Sequence, residues 1–114
     1  MVVELRNHQD FEQLLEQSKS VPVVIFKHST QCGISEQAHD EFNRFAQSAG
    51  EVVCGIVLVL ENRTLSDAIE ARLGIRHESP QAILLRNGKP AWNASHWSVT
   101  MDALSQAIYA ESPH

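Results

Sequence analysis

Hydrophobic positions along the chain fall into two kinds of pattern. Unbroken apolar runs occur at Val23–Phe26, at Val52–Leu60 and within Gln81–Leu85. Runs of this kind suit strands covered on both faces, as in a parallel sheet. The longest, Val52 to Leu60, is the expected central strand. Between the runs, apolar residues recur every three or four positions, which marks one buried face of a helix. Phe11, Leu14 and Leu15 form the first such stripe, with Asp10 as its expected cap. Ile34, Ala38, Phe42, Phe45 and Ala49 form a long second stripe that starts at Gly33 and stops near Gly50. Leu65, Ala68, Ile69 and Leu73 form a third, with Thr64 as expected cap and Gly74 as the stop. Met101, Leu104 and Ile108 form the last, capped by Thr100. Val2 to Leu5 is a short strand. Asn87-Gly88 is a two-residue hairpin turn, and Lys89 to Ala94 is the return strand. Pro90 lacks an N–H and therefore suits an edge. The predicted order is βαβαβαββα: an α/β chain with a mixed central sheet and helices on both faces.

Composition narrows the function. At 114 residues, with 43% hydrophobic content, residues 1–114 form one domain with an ordinary core. The net charge is −5, and the nine Lys and Arg residues are scattered. A nucleic-acid groove or an anionic membrane surface needs clustered positive charge, so neither partner is expected. The chain opens Met-Val-Val-Glu-Leu-Arg, which is not a signal peptide, and no apolar run reaches the roughly 20 residues of a membrane span. The expected address is the cytoplasm, where thiols stay reduced and a disulfide is more often transient than structural.

That address matters because of Cys32. It follows a strand and a short polar turn, and it stands where the long amphipathic helix begins. Unpaired backbone N–H groups and the positive end of the helix dipole both favour thiolate over thiol there. The thiolate is the nucleophile in disulfide exchange. Cys54, the other cysteine, lies near the start of its strand, on the order of 20 Å from the strand's carboxyl end at ~3.3 Å per residue. A disulfide needs Cα atoms within roughly 7 Å, so Cys54 is expected to be buried and structural. The six histidines, His28, His39, His77 and His96 among them, show no zinc-type spacing, and no metal is expected.

The segment Leu73-Gly74-Ile75-Arg76-His77-Glu78-Ser79-Pro80-Gln81-Ala82-Ile83-Leu84-Leu85-Arg86-Asn87-Gly88 resembles the thioredoxin stretch from helix end through cis-proline to hairpin. The resemblance implies a thioredoxin fold with Ser79-Pro80 cis and facing the cysteine. Two positions depart from thioredoxin. The motif is Cys32-Gly33-Ile34-Ser35, with serine in place of the second cysteine. Phe26 stands where thioredoxins keep a buried acid. With Phe26-Lys27-His28-Ser29-Thr30-Gln31-Cys32-Gly33-Ile34-Ser35 and Ala94-Ser95-His96-Trp97, nearly the whole chain resembles the monothiol bacilliredoxin family of YtxJ-like thioredoxin-fold proteins. That resemblance implies an enzyme that reduces mixed disulfides between client proteins and the low-molecular-weight thiol bacillithiol. Cys32 would be catalytic. A second thiol or a reductase system would regenerate it, and the protein would act as a monomer.

The resemblance also sketches a groove. Thr30, Gln31, Gly33, Ile34, Ser35, Ser79, Pro80, His96 and Trp97 would contact substrate or cofactor. His96 would be a polar or proton-transferring group and Trp97 a stacking wall, with ordinary core packing as the alternative for Trp97. Ser35 lies one helical turn from Cys32; it can satisfy backbone N–H groups, donate to the thiolate, or do both. His28 and Lys27 would bias the thiolate electrostatically, although Lys27 also reads as a solvated charge at a strand end. Two other functions fit parts of the pattern. Cys-Gly-Ile-Ser is similar to the Cys-Gly-Phe-Ser of monothiol glutaredoxins, which bind a bridging [2Fe–2S] cluster. A redox-inactive adaptor that binds peptides at the proline is the other.

Overall fold

The computed structural model describes residues 2–30 and 33–110. Its elements are β1 (Val2–Glu4), α1 (His8–Gln17), β2 (Val23–His28), α2 (Gly33–Ser48), β3 (Val53–Leu58), α3 (Arg63–Leu73), β4 (Gln81–Arg86), β5 (Lys89–Ser95), a 3-10 turn (His96–Ser98) and α4 (Met101–Ala110). The five strands form one sheet in the order β1-β3-β2-β4-β5. β1, β3 and β2 run parallel, while β4 runs antiparallel to β2 and β5 antiparallel to β4. The central strand is therefore β2, not the longer apolar run of β3. Apolar length tracks coverage on both faces, and β2 and β3 are covered alike; position in the sheet follows from the pairing of β4 with β2.

Alternate residues of each strand feed two separate cores, as a period of two requires. Val24 and Phe26, Cys54 and Ile56, and Ala82 and Leu84 pack with Phe42 and Phe45 of α2 and Leu104 of α4. Val23 and Ile25, Val57, and Ile83 and Leu85 pack with Leu14 and Leu15 of α1 and Leu65 and Ile69 of α3. Gly55 sits where the second core is tightest. A Cβ placed there would lie 2.7 Å from Leu14 Cδ1 and 3.4 Å from Leu5 Cγ, so this strand glycine admits helix α1.

Helix ends differ from expectation in two places. Asn7, not Asp10, caps α1: the Asp10 N–H donates to Asn7 Oδ1 at 2.9 Å, and the Asp10 carboxylate accepts from the Arg6 N–H at 2.8 Å. An asparagine and an acid three residues apart satisfy two exposed donors reciprocally, in the manner of a capping box. Asn62 rather than Thr64 precedes α3; its side chain caps nothing there and instead donates to Arg6 O at 2.6 Å. The other ends agree. Gly74 closes α3 at φ 70°. Thr100 Oγ1 accepts from the Ala103 N–H at 3.1 Å, and Glu41 of α2 takes the Met101 N–H at 2.8 Å. Asn87 and Gly88 turn with φ 56° and 75°. Pro90 lies on the edge strand, beside an irregular register at Leu84/Leu85.

The Gly55–Leu14 contact gives a stability test. Gly55→Ala should destabilise the domain by about 1–3 kcal/mol through overpacking. In a Leu14→Ala background the same change should cost close to nothing, because the clashing methyl is gone. Equal costs in both backgrounds, read by denaturant melts, would show that the close approach does not limit this site.

Candidate functional site

β2 has no solvent face: all six of its residues are buried. Its last two are nonetheless Lys27 and His28, and the alternation sends them to opposite layers. Polar groups taken out of water must find partners inside the protein. Lys27 turns toward α3, where its Nζ donates to Ser66 O at 3.2 Å and lies 3.2 Å from His77 Nδ1. Ser66 Oγ is 3.1 Å from the same ring nitrogen, and the His77 backbone N–H donates to the Glu70 carboxylate at 2.7 Å. Lys27 is 0% exposed, so it is no solvated charge at a strand end. Burial lowers its pKa, against the pull of Glu70 and Asp67. The amine thus fastens the end of β2 to the connector that leads from α3 to Pro80.

His28 turns toward α2. Its Nδ1 is 2.8 Å from Ser35 Oγ, and the same oxygen accepts the Ser29 N–H at 2.9 Å. Ser35 is 0% exposed. Its hydroxyl ties the turn after β2 to the first turn of α2 and fills the backbone-satisfying role for Ser29; the other role, toward Cys32, lies outside the described residues. Phe26, at the place of the thioredoxin acid, is part of a stack of rings: its centroid lies 5.7 Å from that of His28, 5.9 Å from His39 and 5.0 Å from Phe42, and His28 and His39 are 4.4 Å apart. Burial lowers the His28 pKa, and the neighbouring His39 lowers it further, while Glu36 and Glu61 oppose the shift. His77 is lowered in the same direction by burial and by Lys27.

The remaining parts come from β4 and β5. Lys27 pairs with Gln81, so Pro80 lies beside the carboxyl end of β2. The Ser79-Pro80 peptide is cis. The His96 N–H donates to Pro80 O at 2.9 Å, and the 3-10 turn packs against α2. Exposed Thr30, exposed Gly33, half-buried Ile34, Ser79, Pro80, His96 and Trp97 are thereby gathered at one end of the sheet. Gln31 and Cys32 lie outside the described residues; Gly33, the next in the chain, is the first residue of α2. Trp97 is 62% exposed, which removes the core alternative for it. Cys54 is buried near the start of β3, and burial pushes its thiol up to about 11.

Several residues escape a reading of the sequence: the Ser66–His77–Glu70 partners of Lys27, the His39 ring on His28, and Glu78, whose carboxylate lies 3.6 Å from His96 Nδ1. Ser79 Oγ and Gln81 Oε1 are buried with no hydrogen-bond partner among the described residues. Strand alternation is the available signal for Lys27, since a run covered on both faces leaves its last residues covered too. Among the described residues, no three His, Cys, Asp or Glu side chains converge in a way that could hold a metal ion, and no helix is long and apolar enough to cross a membrane. A shallow cavity of about 280 Å³ between Ser18–Pro22 and Arg86–Asn87 lies at the other end of β2, away from these groups.

The lowered histidine pKa values fix a sign for acid stability. A histidine whose folded pKa lies below its unfolded value binds fewer protons in the native state, so its stability is complete above the unfolded value and declines as pH falls beneath it. The melting temperature should therefore drop on acidification from about pH 7 to about pH 5, and the drop should be smaller in His28→Gln and His77→Asn than in the parent. An acid loss in both variants as large as in the parent would show that other groups carry it.

A family model described as monothiol bacilliredoxin BrxC matches residues 3–104. A solved structure described as a candidate oxidoreductase with a thioredoxin fold is 36% identical, with a TM-score of 0.85 and coverage of 93% of this chain and 92% of that one. A thioredoxin from Fasciola hepatica is 18% identical, with a TM-score of 0.80 over 96% of this chain and 99% of that one. A thioredoxin from Malassezia sympodialis is 22% identical, with a TM-score of 0.78 over 99% and 92%. At such identities the thioredoxins are similar in fold alone. The family model, however, spans nearly the whole sequence, Cys32-Gly33-Ile34-Ser35 and Ser79-Pro80 included, so this thioredoxin-fold chain belongs to the monothiol bacilliredoxin family.

Proposed function

We propose that the protein removes bacillithiol from mixed disulfides on client proteins, with Cys32 as its only exchanging thiol. Family and fold give the coarser activity, thiol oxidoreduction. The observation that carries the single-thiol part of the reading is Ser35; the choice of bacillithiol follows the family. A dithiol oxidoreductase has a cysteine at this place, able to expel whatever the first thiol has captured. Here the place holds a buried hydroxyl engaged by the Ser29 N–H and by His28, which cannot form a disulfide.

The reaction then has two separate halves. The Cys32 thiolate attacks the cofactor sulfur of the mixed disulfide. A Cys32–bacillithiol disulfide forms, the old S–S bond breaks, and the electron pair leaves on the client sulfur, which takes up a proton. Cys32 is oxidised and the client thiol is reduced. A second thiol, or a reductase acting on the low-molecular-weight pool, reverses the modification of Cys32 by the same exchange chemistry. Helix α2 opens at Gly33, and orphan N–H groups at such a terminus favour the thiolate. An added Cβ on Gly33 would meet nothing within 4 Å among the described residues, which leaves that side open to an approaching disulfide. Thr30 and Gln31 before Cys32, and Ile34 after it, would complete the contact surface with Ser79, Pro80, His96 and Trp97. The reading includes a cytoplasmic, monomeric enzyme without a metal.

Intact-mass spectrometry on a bacillithiolated client tests the scheme. The enzyme should gain one cofactor mass on Cys32, and release should scale with the concentration of added thiol. Cys32→Ser should abolish transfer, whereas Cys54→Ser should leave it largely intact, since a thiol raised to about 11 holds little thiolate at neutral pH. Ser35→Cys should relieve part of the thiol dependence by allowing an internal disulfide. If the client stays modified and Cys32 never acquires the cofactor mass, the scheme is wrong. Visible absorbance after anaerobic purification would then favour the cluster-binding alternative, and its absence the adaptor.

A further inference from the structure

We propose that Glu78 and His96 form a charge-reading pair that selects the low-molecular-weight half of a mixed disulfide, recognising a thiol that bears a free amino group and a carboxylate. The proposal rests on the reading of Cys32 as an exchanging thiol.

The two residues flank Pro80 from separate elements. Glu78 stands two positions before it, and the His96 N–H is bonded to the Pro80 carbonyl. Their side chains face each other with His96 Nδ1 3.6 Å from Glu78 Oε2, and they are 53% and 36% exposed. A closed charge-assisted hydrogen bond is roughly 2.7–2.9 Å long, so this pair is poised but not sealed. A ligand ammonium can take the carboxylate while a ligand carboxylate takes the imidazole, as cation or as neutral N–H donor. The gap is small enough for one amino-acid-sized group to meet both.

The backbone supports the same assignment. His96 adopts φ 56°, a left-handed conformation that favours glycine. Non-glycine residues held there cluster at functional sites, where the surrounding structure offsets the strain.

The consequence is directional. A mixed disulfide has two sulfurs, and only attack at the cofactor sulfur frees the client. An internal cysteine of a client has its amino and carboxyl groups tied up in peptide bonds, so the pair has no grip on that half. A small thiol with free charges is held, and its sulfur is the one presented for attack.

The test uses 2-pyridyl mixed disulfides of cysteine, cysteamine, 3-mercaptopropionate and 2-mercaptoethanol. These carry both charges, the amino group alone, the carboxylate alone, and neither. Cys32 thiolate attacks the alkyl sulfur, forms the Cys32–S–S–R bond and breaks the original S–S bond. The electron pair leaves on pyridine-2-thiolate, which is protonated to the thione and followed by absorbance. Each variant is compared with the parent on the same disulfide, which cancels intrinsic reactivity. Glu78→Gln should slow the two amino-bearing disulfides about fivefold more than the two lacking an amino group, the upper range for a partly exposed charge contact. His96→Asn, which tolerates the left-handed backbone, should slow the two carboxylate-bearing disulfides more by a similar factor. Uniform slowing across all four disulfides in both variants, or no slowing, overturns the charge-reading pair while leaving thiol exchange standing. If the parent forms no Cys32 adduct with any of the four, the exchange reading itself falls, and the pair falls with it.

Discussion

The structure turns on a central strand that has nowhere to put a polar side chain. β2 is covered by α2 and α4 on one face and by α1 and α3 on the other, yet it ends in a lysine and a histidine. Desolvating an amine or an imidazole is tolerable only with partners close at hand. Each side chain therefore recruits a different neighbour, and each neighbour leads to the site. Lys27 takes hold of the connector that leads to Pro80. His28 takes hold of Ser35 and, through it, of the turn that runs on to Cys32. One hydrophobic constraint thus fixes two walls of the site by two hydrogen-bonded clamps, and Phe26 and Phe42 fill the space beneath with rings.

This arrangement also bears on proton handling. Thioredoxins keep an acid where Phe26 stands, a group suited to a dithiol that must shed a second proton. Cys32 as the single exchanging thiol, as proposed above, leaves one sulfur to activate and calls for no acid at that place. The titratable groups are displaced to the neighbouring positions, where burial lowers the pKa of both Lys27 and His28. For His28, burial and the neighbouring His39 ring both favour the neutral form.

Much of this is legible from residue order alone. The alternation of strands and helical stripes specifies the fold class, and Gly74, Asn87-Gly88, Pro90 and Thr100 mark ends that the structure keeps. The Ser79-Pro80 segment and the Ser95-His96-Trp97 loop do share one locality. The misses have common causes. Asp10 and Thr64 are good capping residues, but Asn7 and Asn62 stand nearer the turns that tertiary contacts impose, and local preference cannot rank two eligible caps. Lys27 misleads because charge usually signals solvent; its partners lie 39 and 50 residues away, a distance over which sequence patterns carry no signal. Glu78 is silent for a related reason, since its neighbour His96 arrives from the turn after β5, 18 residues on. The expectation of β3 at the centre fails because hydrophobic length reports coverage, not neighbours.

The margins of the sheet have a consequence of their own. β1 contributes three residues and stops. β5 carries Lys89 and Pro90, and its pairing with β4 slips at Leu84/Leu85. A short strand offers few unpaired groups, and a proline with a local irregularity spoils the template that another chain would copy. Sideways growth of the sheet is therefore discouraged at both borders, so the hydrogen-bonding capacity of this backbone is spent inside one molecule. A ready route to stacking copies into fibres through their edges is thereby withheld.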